Sequence, residues 1–228
     1  MESKILKIGH RGAKGHVTEN TLESIKKAMA LGVDGIEIDV HRCASGELVV
    51  FHDFTVDRIT NGTGEVSKQK LHILKRLKTK GNYEIPTLAQ VLAFVENKCL
   101  LNIELKGQDT AKEAARIIKF YVDKKGWEYK NIIVSSFQED LLETVFNINK
   151  EIPLGVITET NLEAAIQLAK KVKALSLHLQ YTMLTEEIVQ ELQEDFKVFT
   201  FTVNNLNPIE RIKSYGVDGI ITDFPDRL

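Results

Sequence analysis

"DGIEIDV", residues 34–40, runs directly into "HRCASGELVVFHD", residues 41–53. Successive side chains on a strand point to opposite faces. Ile36, Ile38 and Val40 therefore share one apolar face, while Glu37 and Asp39 point the other way. At a rise of roughly 3.3 Å per residue, the two carboxylates lie about 7 Å apart along the chain. A second strand-like run, "LVVFH" (48–52), follows closely. The gap of about four to seven residues is too short for a parallel crossover, which needs roughly a dozen or more. "ASG" at 44–46 reads instead as a turn between antiparallel partners. Residues 36–52 thus form a long hairpin that returns His52 to the neighbourhood of Glu37 and Asp39.

Outward from this hairpin, short apolar runs alternate with longer helical patterns. Strands are expected at 5–9, 35–39, 100–105, 132–136, 154–158, 174–178, 198–203 and 219–222. Helices are expected at 20–31, 87–97, 110–125, 138–148, 161–172, 185–194 and 207–215, with Thr87, Asn161, Thr185 and Asn207 as cap-like residues. Gly32 and Gly216 fit helix stops. This alternation predicts βαβ units and a parallel sheet. Eight such strands predict an α/β fold, a TIM (β/α)8 barrel with a β-hairpin after strand 2. An open doubly wound sheet is the alternative. "GVDGIEID" (32–39) and "GVDGIITD" (216–223) repeat one helix-stop, turn and strand pattern in register, as equivalent barrel units would.

Residues 53–86 fit neither element type and read as a short insertion at the top of the barrel, within a single domain spanning 1–228. Its Leu71, Leu74 and Leu77 form a narrow apolar stripe ringed by lysines. That pattern reads as a solvated helix face over docked leucines; the functional alternative is a basic surface for anionic lipid.

The chain has 228 residues, 43% hydrophobic and 27% charged, with net charge -2; it has ample material for one core and no basic excess to suit nucleic acid. No run approaches the roughly 20 apolar residues of a membrane span. The start enters a strand-like run with no long apolar leader region, and Cys43 and Cys99 form no metal-spacing motif. A cytoplasmic protein with reduced thiols is expected.

In a parallel barrel, reactive groups sit at the carboxyl ends of the strands. The densest set lies on the first three strands and the returning hairpin: His10, Arg11, Glu37, Asp39, His52, Asp53, Glu104 and Lys106. Glu37, Asp39 and Glu104 would gather three carboxylates. Like charges in a low-dielectric site oppose ionisation, so such a cluster needs protons or a cation. All-oxygen donors favour a hard ion, Mg²⁺, Ca²⁺ or Mn²⁺. The plainer alternative pairs these acids with Arg11, Lys106 or nearby amides. His10 and His52 can supply one base and one acid near neutral pH. Arg11 and Lys106 aim positive charge at the same centre, the fork of Arg being suited to phosphate oxygens. Together these groups describe phosphoryl chemistry. His178 is a candidate pocket-lining residue, with a structural role as its alternative. Asp223 and Asp226, flanking Pro225, read as turn formers, and His16, His41 and His72 as loop or surface residues.

"GHRG" (9–12), "ENT" (19–21), "GIEIDV" (35–40), "VVFHD" (49–53), "DRITNGTG" (57–64), "IPTL" (85–88), "NIELK" (102–106) and "ITDFPD" (221–226) resemble, in order and spacing, the glycerophosphodiester phosphodiesterase family. The resemblance spans residues 9–226. It implies a TIM barrel, lipid and glycerol metabolism, and hydrolysis of small-molecule glycerophosphodiesters to glycerol 3-phosphate and an alcohol. It implies His10 and His52 as the general acid/base pair, Glu37, Asp39 and Glu104 as metal ligands, and Arg11 and Lys106 as phosphate holders. Glu19 and Asn20 would organise the site from behind. Two departures stand out: Thr18 replaces the usual Pro before "ENT", and Phe201 the usual Trp of "WTVN". Phe201 keeps an apolar wall for glycerol but has no indole donor. Two other functions remain open at this stage, a lysophospholipase D and a non-catalytic phosphodiester-binding barrel. The final helix is expected to be missing or a stub, its flank covered by the N-terminus or by a second copy in a homo-oligomer.

Overall fold

The computed structural model describes residues 4–228. β1 (Leu6–Gly9) leads through α1 (Leu22–Ala30) to β2 (Gly35–Arg42), which turns back as β3 (Leu48–Val50). After α2 (Leu71–Leu74) and α3 (Leu88–Val95), the chain alternates regularly. The order is β4 (Leu100–Leu105), α4 (Thr110–Lys125), β5 (Ile132–Ser136), α5 (Glu139–Ile148), β6 (Leu154–Thr158), α6 (Leu162–Lys171), β7 (Ser176–Gln180), α7 (Glu186–Leu192), β8 (Lys197–Phe201), α8 (Leu206–Ser214) and β9 (Gly219–Thr222). Eight strands run parallel, and β1 pairs with both β2 and β9, so the sheet closes into a TIM-type barrel. β3 alone is antiparallel, with Val40 opposite Val50 and Arg42 opposite Leu48, as the hairpin reading expects.

The period-two pattern of the opening stretch sorts its side chains. Ile36, Ile38 and Val40 are fully buried in the large cluster between strands and helices. Each stabilises the barrel by about 1.5–3 kcal/mol relative to exposure. A smaller cluster of Ile8, Ile133, Phe199 and Ile221 fills the lumen. The repeated "GVDG" segments do the same job twice: the Asp34 carboxylate accepts the backbone N–H of Lys7 at 2.9 Å, and Asp218 that of Val198 at 2.9 Å. Each ties the start of one strand to its neighbour.

Thr21, Thr87, Asn161 and Thr185 cap α1, α3, α6 and α7 through their side chains, and Thr87 forms a capping box with Gln90. Asn207 does not cap α8. That helix begins at Leu206 after Asn205, because Pro208 is tolerated in a first turn that needs no N–H from it. After β9 comes a 3₁₀ turn, Pro225–Arg227.

In the insertion the leucines are docked, as expected, and they pack into a small core of their own. Leu74 is fully buried with Val49, Phe51, Val56, Ile59, Val66 and Ile85, and Leu71 and Leu77 pack against this second core. The apolar residues follow no long helical period because α2 is a single turn. They anchor the insertion onto the hairpin instead.

Candidate active site

Strand parity places the acids. Asp39 lies opposite Glu104 and Glu37 opposite Asn102 across the β2–β4 pair, so all four side chains enter the lumen at its carboxyl end. One oxygen from each of Glu37, Asp39 and Glu104 lies within 4.8 Å of the others. Burial, reinforced by Asp39 and then Glu104, pushes the Glu37 carboxyl well above its ordinary range. Burial and then Asp39 likewise raise Glu104. Positive groups offset only part of this. Arg11 donates its backbone N–H to Glu37 Oε2 at 2.9 Å, and its Nε lies 3.3 Å from Asp39 Oδ2. Lys106 Nζ donates to Glu104 Oε1 at 3.0 Å. Asn20 Nδ2 donates to Asp39 Oδ2 at 2.8 Å. Glu37 Oε1 and Asn102 Oδ1 are buried without a hydrogen-bond partner. A buried oxygen left unpaired among like charges fits a hard cation held by three carboxylates.

The "GHRG" turn delivers Arg11. Gly12 has φ +85°, and a Cβ there would lie 2.5 Å from Ser24 Oγ, so only glycine lets the turn lie against α1. Arg11 itself is left-handed, with φ 49°. Its Nη1 donates to Glu19 Oε1 at 2.7 Å.

Each histidine is held by an aspartate. His10 Nδ1 lies 2.6 Å from Asp223 Oδ1, and His52 Nδ1 lies 2.7 Å from Asp53 Oδ1. A carboxylate can only accept, so each Nδ1 carries a proton and each neutral ring presents a bare Nε2. His10 Nε2 is 3.9 Å from Glu37 Oε2, and His52 Nε2 accepts from Lys106 Nζ at 3.2 Å. The two Nε2 atoms therefore flank the carboxylate cluster. Burial lowers both imidazoles, against the raising hydrogen bonds of Asp223 and Asp53.

The structure thus gathers His10, Arg11, Glu37, Asp39, His52, Glu104 and Lys106 in one place, with Glu19 and Asn20 behind Arg11 and Asp39. His178 lines the narrow lumen pocket with His10, Ile157 and Phe201. It is fully buried, its Nε2 is 2.9 Å from Ser176 Oγ, and burial lowers it to about 3, so it stays neutral. Phe201 meets Phe137 edge to face at 6.2 Å at the mouth of that pocket. A wider groove beside Lys106 is lined by His41, Arg42, Phe54, Gln108 and Gln138.

Three corrections follow. Asp223 is not merely a turn former; barrel closure brings it against His10, and Asn204 Nδ2 holds its other oxygen at 2.9 Å. His41 is not a surface residue; it is buried and donates Nε2–H to the His52 carbonyl at 3.0 Å. His16 meets Asp226 at 2.5 Å, so Asp226 also does more than turn. The signal for Asp223 lay in the internal repeat, which sets it in register with the inward-pointing Asp39. Arg58 lies in the "DRITNGTG" motif, whose reading gives it no role; it hydrogen-bonds to both Glu19 and Asp53.

Residues 10–227 match the model of the glycerophosphoryl diester phosphodiesterase family. The chain is 36% identical over 239 residues to a glycerophosphodiester phosphodiesterase of Caldanaerobacter subterraneus subsp. tengcongensis, covering 99% of this chain and 96% of that one. It is 33% identical to a glycerophosphodiester phosphodiesterase of Bacillus altitudinis, over 96% of this chain and 94% of that one. An Oleispira antarctica phosphodiesterase, solved in complex with the product sn-glycerol-3-phosphate, superposes with a TM-score of 0.89 at 28% identity, covering 99% of this chain and 95% of that one. With its fold, its cluster of acids and paired histidines, and these relatives in agreement, the chain belongs to the glycerophosphoryl diester phosphodiesterase family and is a phosphodiesterase enzyme.

Proposed function

We propose that this enzyme hydrolyses glycerophosphodiesters, such as glycerophosphocholine or glycerophosphoethanolamine, to glycerol 3-phosphate and an alcohol, using a divalent cation and a histidine acid/base pair. The observation that carries this is the pair of aspartate-held histidines whose Nε2 atoms flank three clustered carboxylates. Glu37, Asp39 and Glu104 would hold Mg²⁺ or Ca²⁺, with Mn²⁺ also suited, and the cation would draw charge from the phosphate oxygens. Arg11 and Lys106 bind the remaining phosphate oxygens and keep the group oriented.

His10 and Phe201 border a narrow lumen pocket too small to admit glycerol, so the glycerol end would rest across its mouth against Phe201. The groove beside Lys106 suits the alcohol end. Neutral His10 takes a proton at Nε2 from the nucleophile, which is either water itself or the substrate's neighbouring hydroxyl, with water in the second case then opening the cyclic phosphate to glycerol 3-phosphate. His52 first takes up a proton at Nε2 from solvent, giving up its hydrogen bond from Lys106, and passes that proton to the departing oxygen as the phosphorus–oxygen bond to the alcohol breaks. Asp223 and Asp53 hold each ring for that exchange.

The lysolipid alternative lacks support, because the leucine stripe that would face a lipid is buried in the insertion. Among the described residues no helix is long and apolar enough to cross a membrane. The test is His10→Ala and His52→Ala, assayed by glycerol 3-phosphate release with EDTA and then with each ion restored. Each substitution should lower kcat by about 10²–10⁴-fold, the usual worth of acid–base catalysis. Full activity in either variant refutes the assignment.

A further inference from the structure

We propose that Arg58 is a positioning residue that locks the two halves of the site together, one guanidinium gripping both the carboxylate that orients His52 and the carboxylate that orients Arg11. Arg58 Nε donates to Asp53 Oδ2 at 2.6 Å and Nη2 to Asp53 Oδ1 at 3.0 Å. Nη1 donates to Glu19 Oε2 at 3.0 Å and Nη2 to Glu19 Oε1 at 2.7 Å. This is a two-sided fork, the geometry that only a planar guanidinium offers. Beyond Asp53 stands His52 Nδ1 at 2.7 Å, and beyond Glu19 stands Arg11 Nη1 at 2.7 Å.

Each side of the fork holds a loop residue. Glu19 lies between β1 and α1, and Asp53 follows β3. Neither sits in an element whose ladder would fix it, so the fork supplies the fixing. The insertion supplies the fork, because Val56 and Ile59, which flank Arg58, are buried in its small core. Both carboxylates stay charged. Hydrogen bonds from Arg58 outweigh burial at Asp53, which is held at about 2. At Glu19, burial pushes upward, but Arg58 and then Arg11 prevail and hold it at about 2. Arg58 does not line the lumen pocket or the groove beside Lys106, so it acts through its partners. The insertion thereby gains a role beyond covering the hairpin.

The roles given to His52 and Arg11 rest on the function proposed above, so the test includes a readout that does not need turnover. In proton NMR the His52 Nδ1–H, hydrogen-bonded to Asp53, should give a far-downfield signal that vanishes in His52→Ala. Arg58→Gln should lose that signal, lower kcat on glycerophosphocholine by about tenfold to 10²-fold, the cost of a misplaced catalytic group, and raise KM through Arg11. Adding Arg58→Gln to Asp53→Asn should cost little further in kcat. Ile59→Val, which loosens the insertion without touching the fork, should keep both signal and kcat. If Arg58→Gln does not fold, Arg58→Lys decides, because an ammonium cannot grip both carboxylates; wild-type kcat and KM there overturn the proposal. A retained His52 signal with kcat within twofold of wild type in Arg58→Gln overturns it too, as do fully additive losses with Asp53→Asn. Should His52→Ala keep full turnover, the acid/base reading fails while the NMR signal still decides the role of Arg58.

Discussion

Stripping and restoring divalent cations should change the stability of this protein by a predictable amount. Three buried carboxylates offer oxygens within 4.8 Å of one another. At that separation a pair of like charges repels by roughly 3.5 kcal/mol at an effective dielectric near 20. Without a cation, protonation relieves part of that repulsion, and burial first, then the neighbouring carboxylates, raise Glu37 and Glu104. With a cation at about 100 times its dissociation constant, mass action adds about 2.7 kcal/mol. For a chain of this size, 1 kcal/mol moves Tm by about 2–4 °C, so melting should rise by about 5–11 °C. Glu37→Gln removes one charge and one ligand. Its cation-free form should melt above cation-free wild type, by less than the full repulsion because burial and its acid neighbours already favour the protonated form of Glu37. Its cation-dependent rise should shrink to a few degrees or vanish. Scanning calorimetry on EDTA-stripped protein, with Mg²⁺, Ca²⁺ and Mn²⁺ added singly, gives each value. Titration calorimetry in two buffers of different ionisation enthalpy should also show proton release on binding, since raised carboxyls must ionise to ligate. No rise with any of the three ions, or an unchanged rise in Glu37→Gln, would refute the reasoning.

Three further outcomes are expected. Asp223→Asn leaves one acceptor oxygen where two now accept from His10 and Asn204, and removes the charge that favours the protonated ring, so kcat should fall by about 10²-fold or more with little change in Tm; an unaltered kcat would remove Asp223 from the site. Glu19 and Asp53 have folded values of about 2, below their ordinary values of 4.5 and 3.8. The stability they contribute is present above those ordinary values and lost as pH falls through about 2. Arg58→Gln should therefore move the acid-unfolding midpoint upward, followed by fluorescence of the single tryptophan, Trp127, which is buried with its Nε1–H donated to the Leu92 carbonyl. Leu74→Ala should cost about 2–5 kcal/mol, the usual range for a buried leucine, and loosen the insertion first, seen as faster hydrogen exchange over 53–86.

Strand and helix identity, the hairpin and the inward aim of Glu37, Asp39 and Glu104 were legible in the sequence by itself. These follow from local rules: alternation along a strand, the length of a crossover and the chemistry of a turn. Every candidate for chemistry at the first three strand ends sits where that reading put it. Closure decided the rest. His10 and Asp223 are 213 positions apart and meet only because β1 pairs with β9. The docked leucines were expected, but not the separate core of the insertion that Leu74 enters with residues of the hairpin. Arg58 meets Glu19 and Asp53 because that small core fixes the insertion against the hairpin. Such contacts depend on where loops land after the barrel closes, and no period in a linear chain encodes that.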